Sequence, residues 1–368
     1  MMKEFDRKII LEDGQEYYGY GFGAEKESIC EIVFNTSMVG YQEILSDPSY
    51  TYQAVVMTYP LIGNYGMAEE DYETAHPTIG GLIVREYNWE PSNFRSVETL
   101  ETVMRKYDIP GIYGVDTRKL ARTIRDGGSR KVLITDRKTS LEEGLRRLSE
   151  STVPQGAVPL VSCSTKAVYP AEFPQYHVAA IDCGIKMNII RTLNRKNCKV
   201  TVVPWNTSAE EIDSLKPDGI FISNGPGDPE DVPQVVETVK ALIGKYPVFG
   251  ICLGHQILAL AYGARTYKMK FGHRGGNHPV KNLHTGKIEI TSQNHSYAVE
   301  NSSLEGTDLA PTHINLLDNT IEGMECTRDR VFSVQYHPES APGPHDSGYL
   351  FDRFVEIMKE GRKDAETN

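Results

Sequence analysis

The run Pro247-Val248-Phe249-Gly250-Ile251-Cys252-Leu253-Gly254-His255-Gln256 decides the fold of the chain around it. An apolar segment ends in Gly-x-Cys-x-Gly, and helix-forming residues follow at once at 257–261. This spacing is typical of a nucleophile elbow, the strained strand-to-helix turn that presents a reactive side chain. Glycine at positions 250 and 254 lets the two backbones approach closely. The pattern therefore predicts a strand, a sharp turn at Cys252 and a helix.

Cys252 is a candidate nucleophile, because the N-terminus of a helix favours thiolate over thiol. A buried structural cysteine is the alternative, since most isolated cysteines only pack. A catalytic thiolate also requires a base and a group that orients the base. Tyr336-His337-Pro338-Glu339 follows another apolar run and supplies both, because side chains two apart on an extended chain point to the same side. The order Cys…His-x-Glu excludes an ordinary α/β-hydrolase, in which the acid precedes the histidine.

A glycine-rich loop, Ser223-Asn224-Gly225-Pro226-Gly227-Asp228-Pro229, follows a third apolar strand. In doubly wound sheets ligands bind beyond the carboxyl ends of the strands. Such a loop can direct backbone N–H groups at a developing oxyanion, with the N–H of Leu253 as a second donor. A tight turn that merely requires glycine is the alternative.

The sequence predicts two domains of different construction. Residues 1–150 are expected to form a smaller mixed α/β domain that opens with a hairpin around Asp13-Gly14. Residues 151–176 contain four prolines and no sustained periodicity, which predicts a linker. Residues 177–360 alternate apolar strands with helices, which predicts an α/β domain with a doubly wound, mostly parallel sheet. The polar tail, residues 361–368, is expected to fray.

Composition excludes several classes of function. The formal net charge of −11 over 368 residues argues against a nucleic-acid partner, because phosphate binding requires a basic face. No apolar run approaches the roughly 18 residues that span a bilayer, so no membrane association is expected. The six cysteines show no C-x-x-C spacing, which argues against a zinc ribbon or a disulfide framework. Because the first residues also lack a signal-peptide core, we expect a cytoplasmic protein.

Together the elbow, the glycine-rich loop and the His-Pro-Glu segment resemble the class I, or triad, glutamine amidotransferases. Within that group, residues 1–360 resemble the small-subunit family of carbamoyl phosphate synthetase. The stretches that carry this closer resemblance lie outside the triad, at residues 34–50, 58–66, 116–118 and 270–279.

The resemblance implies a function for the triad. Cys252 would attack the side-chain amide of L-glutamine, His337 would transfer the proton to the leaving ammonia, and Glu339 would orient His337. The ammonia would pass to a large ATP-dependent subunit that makes carbamoyl phosphate from it and bicarbonate. ATP and Mg would therefore lie on that partner, with which the chain would form a heterodimer or a higher oligomer. No cofactor is expected on this chain.

The resemblance also implies a set of glutamine-binding residues: Ser49, Gly225, Gly227, Leu253, Gln256, Asn294, Ser296 and Tyr297. Ser49 would reach in from the N-terminal domain, and Ser296 and Tyr297 would contribute backbone N–H groups. The family usually has glycine where this chain has Ser296. If the backbone there requires a positive φ, serine adopts it at a cost of about 1 kcal/mol, which would alter the affinity for glutamine.

Other patterns in the sequence do not predict a further binding site on this chain. The run Gly19-Tyr20-Gly21-Phe22-Gly23-Ala24 matches a dinucleotide-binding pattern but follows a hairpin instead of opening a βαβ helix. His273 and His278 have no carboxylate or cysteine at ligand spacing, so we expect a hydrogen-bonded loop and no metal. No Walker A sequence occurs, which agrees with ATP chemistry on another chain.

Three alternatives stay open. A catalytically inactive scaffold predicts a missing nucleophile, whereas Cys252, His337 and Glu339 are all present. A stand-alone γ-glutamyl thiol hydrolase would use the same triad without a partner. The amidotransferase component of another biosynthetic synthetase would share only the chain from about residue 177 onward, so the first 150 residues decide between that alternative and the small-subunit family.

Overall fold

The computed structural model describes residues 4–340 and 342–367. It forms two compact units, Met1–Pro154 and Gln155–Asn368.

In the N-terminal unit, seven of the described strands close into a barrel in the order β1-β2-β8-β6-β4-β3-β9, while β5 pairs with β7. The strands are β1 (Arg7–Leu11), β2 (Glu16–Gly23), β3 (Ser28–Asn35), β4 (Gln53–Met57), β5 (Leu61–Ile62), β6 (Gly81–Ile83), β7 (Glu86–Tyr87), β8 (Pro110–Tyr113) and β9 (Arg130–Asp136). The helices are α1 (Tyr41–Ser46), α2 (Leu100–Lys106), α3 (Thr117–Gly127) and α4 (Leu141–Glu150).

The hairpin predicted around Asp13-Gly14 is confirmed. Strands β1 and β2 pair antiparallel, and Gly14 has a φ of 87°, which the turn requires and glycine adopts without strain. The barrel itself was not predicted, because its closure joins strands that are far apart in sequence, such as β1 and β9.

In the C-terminal unit the described strands form one sheet in the order β10-β12-β11-β13-β14-β19-β18-β17-β15-β16. The strands are β10 (Ala167–Tyr169), β11 (Tyr176–Asp182), β12 (Cys198–Pro204), β13 (Gly219–Ile222), β14 (Val248–Ile251), β15 (Thr266–Asn282), β16 (Ile288–Val299), β17 (Ala310–Asn315), β18 (Ile321–Cys326) and β19 (Val331–Val334). The helices are α5 (Val158–Val161), α6 (Met187–Arg195), α7 (Ala209–Ser214), α8 (Pro233–Leu242), α9 (Leu253–Ala261) and α10 (Tyr349–Thr367).

The middle of this sheet is parallel. Strands β12, β11, β13, β14 and β19 pair parallel with one another in that order, whereas the outer strands pair antiparallel. Successive residues of β11 alternate between two apolar cores: Ala179 and Ile181 belong to one, and Val178 and Ala180 to the other. The first core includes residues of α7, α8 and α9, and the second includes residues of α6 and α10. The predicted α/β class is confirmed, with the parallel strands at the centre of the sheet.

One helix start in this unit is stabilised by a local side-chain motif. Helix α7 begins with a complete capping box, in which the Ser208 side chain accepts from the N–H of Glu211 and the Glu211 side chain accepts from the N–H of Ser208.

Two predicted boundaries were wrong. The segment 151–176 is more than a linker, because it contains α5 and also β10, which pairs antiparallel with β12. The last turn of the chain is not a separate tail, since α10 continues to Thr367; Asn368 lies outside the described residues.

Candidate functional site

Four adjacent parallel strands, β11, β13, β14 and β19, carry the candidate residues just beyond their carboxyl ends. Lys186 follows β11, the loop of Gly225 follows β13, Cys252 follows β14, and His337 follows β19. Because the carboxyl ends of parallel strands meet at one edge of a sheet, the fold assembles groups that are up to about 150 residues apart.

The turn at Cys252 has the geometry of a nucleophile elbow. Cys252 has φ 54° and ψ −102°, a conformation that non-glycine residues rarely adopt, and it directly precedes α9. Its N–H donates to the carbonyl of Val334 at 2.9 Å. A Cβ on Gly254 would lie 2.2 Å from the carbonyl oxygen of Ile222, which explains why the motif requires glycine there. The predicted strand, strained turn and helix are confirmed.

His337 and Glu339 lie together, as the His-x-Glu spacing predicts. The Nδ1 atom of His337 is 2.7 Å from Oε1 of Glu339, and both side chains are buried. Burial alone would lower the pKa of His337, but the Glu339 carboxylate and the proximity of Cys252 raise this pKa above its ordinary value. The Glu339 carboxylate therefore favours the protonated ring, the form that His337 takes once it has accepted a proton.

The other ring nitrogen of His337, Nε2, is buried and makes no hydrogen bond of standard length within the described structure. The Cys252 sulfur donates instead to the carbonyl of Asn294 at 3.5 Å. Cys252 and His337 are both buried and Cys252 acts on the pKa of His337, so the reactive side chain and its candidate base lie in one buried region.

Lys186 is a site residue that the sequence analysis missed. Its Nζ atom lies 2.8 Å from Oε1 of Glu339, and its side chain is 4% exposed. Burial would raise the pKa of Glu339, but the charges of Lys186 and His337 hold it down to about 2. The signal available in the sequence was position alone: Lys186 follows the carboxyl end of β11, as the other site residues follow their strands.

The glycine-rich loop packs against the start of α9. A Cβ on Gly225 would lie 2.2 Å from the carbonyl oxygen of Cys183 and 2.8 Å from Cδ2 of Leu253. Gly227 has a φ of 89°. The first N–H groups of a helix have no intrahelical acceptor, so the Leu253 N–H and this loop together can present donors to an anion.

The segment from Asn294 to Tyr297 lies on β16 beside Cys252 and is anchored from α9. Gln256, itself 2% exposed, donates to the carbonyl of Tyr297 at 2.8 Å and to Oε1 of Gln335 at 3.0 Å. The hydroxyl of Ser296 accepts from Arg274 at 2.5 Å. Ser296 is not among the described residues with positive φ, so the condition under which serine would strain the backbone is not met here.

Ser49 belongs to the N-terminal unit. It lies in a short 3₁₀ turn, Pro48–Tyr50, where its N–H donates to Oδ1 of Asp47 at 2.9 Å, and it is 8% exposed. Its participation in glutamine binding stays a prediction, as do the binding roles assigned to the other residues.

The paired histidines His273 and His295, inside the β15–β16 hairpin, belong to a hydrogen-bonded network. His273 bonds to Asp318 through Nε2 at 2.8 Å, and His295 bonds to Gln293 through Nε2 at 2.7 Å. Ligand atoms of His273, His295 and Glu322 lie within 4.8 Å of one another, a spacing that a metal ion could use. Because the His273 and His295 side chains are already hydrogen-bonded, the network accounts for them, and the absence of a metal stays an expectation.

Among the helices of the described chain, none combines the length and the apolar character needed to cross a bilayer.

Comparison with known proteins agrees with both units. The family described as "Glutamine amidotransferase class-I" matches residues 179–357, and the family described as "Carbamoyl-phosphate synthase small chain, CPSase domain" matches residues 9–134. The carbamoyl phosphate synthase small chain of Staphylococcus saprophyticus is 51% identical over 362 residues, which cover 98% of each chain. The chain belongs to the carbamoyl phosphate synthase small-chain family.

Other small chains show the same extent of similarity. That of Fusobacterium nucleatum is 50% identical and covers 98% of this chain and 100% of its own. The pyrimidine-specific small chain of Bacillus subtilis is 50% identical and covers 98% of each. Among solved structures, a putative GMP synthase component of Thermoplasma acidophilum covers 52% of this chain and 98% of its own, at 22% identity and a TM-score of 0.46, too distant a likeness to carry an argument.

The family places an amidotransferase domain, a glutamine-hydrolysing unit, at residues 179–357, the stretch that contains Cys252, His337 and Glu339. Because the match at residues 9–134 is to the small-chain domain, the alternative of a component from another synthetase is excluded.

Proposed function

We propose that this chain hydrolyses L-glutamine through a Cys252 thioester and delivers the ammonia to a large ATP-dependent subunit. The observation that carries the proposal is the juxtaposition of a strained elbow cysteine with a buried His337–Glu339 pair at the ends of adjacent parallel strands. ATP and Mg would act on the partner, and the site residues of this chain would act on glutamine alone.

The first step joins Cys252 to the substrate. The thiol gives its proton to Nε2 of His337, and the sulfur attacks the side-chain carbonyl carbon of glutamine. The N–H groups of Leu253 and the Gly225 loop donate to the carbonyl oxygen and stabilise the charge that develops there. When the carbon–nitrogen bond breaks, His337 gives the proton to the leaving ammonia and a γ-glutamyl thioester remains.

In the second step, water replaces the Cys252 thiol as the nucleophile. A water molecule gives a proton to His337 and attacks the thioester carbon, the carbon–sulfur bond breaks, and glutamate leaves as Cys252 regains its proton. Glu339 and Lys186 remain charged throughout. Their part is to hold the imidazole in place and to stabilise the imidazolium.

The partner follows from the family. A small chain implies a large chain, and the ammonia would reach it without release, where bicarbonate and ATP complete carbamoyl phosphate. The proposal places the complex in the cytoplasm, as the scattered reduced cysteines predict.

The decisive experiment measures glutamate release by the purified chain, alone and with the large subunit of a relative plus ATP and bicarbonate. We expect slow hydrolysis alone, strong stimulation by the partner, and loss of activity in Cys252→Ser. Cys163→Ser, which changes a half-buried cysteine outside the elbow, is the matched control and should retain activity.

A second measurement identifies the covalent intermediate. Mass spectrometry of acid-quenched enzyme should detect a γ-glutamyl adduct on the peptide of Cys252. Full activity without a partner would favour the stand-alone hydrolase, and activity in Cys252→Ser would assign the nucleophile elsewhere.

A further inference from the structure

The hairpin of β15 and β16 is interrupted where the candidate glutamine-binding segment lies. Tyr297 pairs with Lys268, and His295 pairs with His273, but the register shifts between Lys268 and His273. Ser296 falls opposite this irregularity, so the backbone ladder does not tie it to β15. Within the segment from Asn294 to Tyr297, Ser296 is thus the residue without a register partner on β15, at the point where the ladder is irregular.

A buried arginine spans this gap. Arg274 is 4% exposed, donates through Nη2 to the Ser296 hydroxyl at 2.5 Å, and donates through Nη1 to the carbonyl of Phe271 at 2.8 Å. The two contacts use the two terminal nitrogens of one planar guanidinium group, a geometry that the ammonium group of lysine does not provide.

The surrounding backbone is shaped to admit this side chain. Gly272 has a φ of 69°, and a Cβ there would lie 2.7 Å from Nη1 of Arg274 and 2.2 Å from the carbonyl oxygen of His295. The glycine, the arginine and the serine therefore form one unit across the hairpin, which we call the Arg274–Ser296 clamp.

We propose that the Arg274–Ser296 clamp is a positioning device that fixes the segment from Asn294 to Tyr297 for glutamine binding. It acts between two anchors of that segment. On one side the carbonyl of Asn294 accepts from Cys252, and on the other the carbonyl of Tyr297 accepts from Gln256. Serine at 296 is then a functional replacement for glycine, because its hydroxyl supplies the acceptor that Arg274 uses.

The clamp acts on binding more than on chemistry. Arg274 contacts Ser296 and the carbonyl of Phe271, and Ser296 itself lies within the binding segment. Removing the hydroxyl leaves a permanently charged, buried guanidinium without one acceptor and frees the segment to shift. We therefore expect the glutamine KM to rise about tenfold while kcat changes by less than about twofold.

The test rests on the proposed function and compares wild type with Ser296→Ala, Arg274→Lys and the double variant. Glutamine KM and kcat are measured for each, and the dissociation constant is measured by calorimetry in a Cys252→Ser background. The clamp predicts that Ser296→Ala raises the glutamine KM and the dissociation constant about tenfold. In the Arg274→Lys background, Ser296→Ala should have little further effect on either constant. Ser302→Ala, which removes an exposed hydroxyl of the same unit, should change neither constant.

Each outcome separates the two proposals. An unchanged KM in Ser296→Ala, or independent effects of the two changes, would overturn the clamp while leaving the glutaminase intact. A wild type that does not hydrolyse glutamine would overturn the proposed function instead. Because Arg274→Lys removes part of a buried contact, thermal unfolding of that variant confirms that it is folded, and the Ser296→Ala comparison stands without it.

Discussion

Lys186 Nζ and His337 Nδ1 approach the same oxygen atom, Oε1 of Glu339, at 2.8 and 2.7 Å. The three side chains come from the ends of β11 and β19, strands that are not neighbours in the sheet. Both the His337 ring and the Lys186 ammonium group are buried, so one buried carboxylate is the shared partner of the two side chains. This arrangement makes Lys186 as necessary to the folded state as the two residues that the sequence singled out.

Replacing Lys186 with methionine should lower the free energy of unfolding by about 3 kcal/mol at pH 7, because one charge of a buried network is left without its partner. Urea denaturation measures the change. Lys240→Met is the matched control, since Lys240 pairs with Glu237 on the surface and such a pair contributes less than about 1 kcal/mol. If the two variants were equally stable, the buried pair would have no structural role.

The comparison of Lys186 with Cys252 shows what the sequence could establish. The elbow is encoded locally, because two glycines and one cysteine at fixed spacing determine the turn and the close approach of β14 and α9. Lys186 carries no such local pattern. Its role arises from the strand order, which places the ends of β11 and β19 on one edge of the sheet with β13 and β14 between them. No local sequence motif predicts that two strands so far apart in sequence come this close.

The same distinction explains the other errors. The closure of the N-terminal barrel depends on pairing between β1 and β9, which lie at opposite ends of that unit's sequence, and periodicity cannot show such a pairing. The strain considered at Ser296 depended on a positive φ, which the described backbone does not have there. The register shift in the β15–β16 hairpin and the guanidinium of Arg274 replace that conformation with a side-chain contact, which is visible only in three dimensions.

The stability of the protein should fall between about pH 6.5 and pH 9 because of His273. Burial disfavours its charged form, but hydrogen bonds and charges of Asp318 and Glu322 raise its pKa from 6.5 to about 9. The folded state therefore keeps a proton that the unfolded chain has lost, so the stabilisation is full below pH 6.5 and disappears as the pH rises through 9. The contribution of His273 to the free energy of unfolding is about 3 kcal/mol.

Urea denaturation at pH 6 and pH 9 measures this loss. The His273→Asn variant should be less stable than wild type at pH 6 and should lack most of the decrease between the two values. An equal decrease in wild type and variant would assign the pH dependence to other groups.

Gly254→Ala should abolish folding of the elbow or destabilise the protein by at least about 3 kcal/mol. The added Cβ would lie 2.2 Å from a backbone carbonyl oxygen, that of Ile222, which cannot rotate away as a side chain could. Gly348→Ala is the control, since the nearest atom to its Cβ would be 3.5 Å away. Circular dichroism and thermal unfolding compare the two, and a Gly254→Ala protein with wild-type stability would show that the strand and helix can separate.

Substitutions of Gln256 and Gln335 distinguish the effect of anchoring the binding segment on glutamine KM from the effect of buried hydrogen bonds on stability. Gln256→Met removes the bond to the Tyr297 carbonyl and the bond to Gln335, whereas Gln335→Met removes only the second. Both variants leave a buried polar group without a partner, so each should lose about 2 kcal/mol of stability. Only Gln256→Met should also raise the glutamine KM, because only that change releases the segment that carries Tyr297. Steady-state kinetics alongside urea denaturation measures both quantities, and an equal rise in KM for the two variants would mean that the anchor at Tyr297 has no special part in binding.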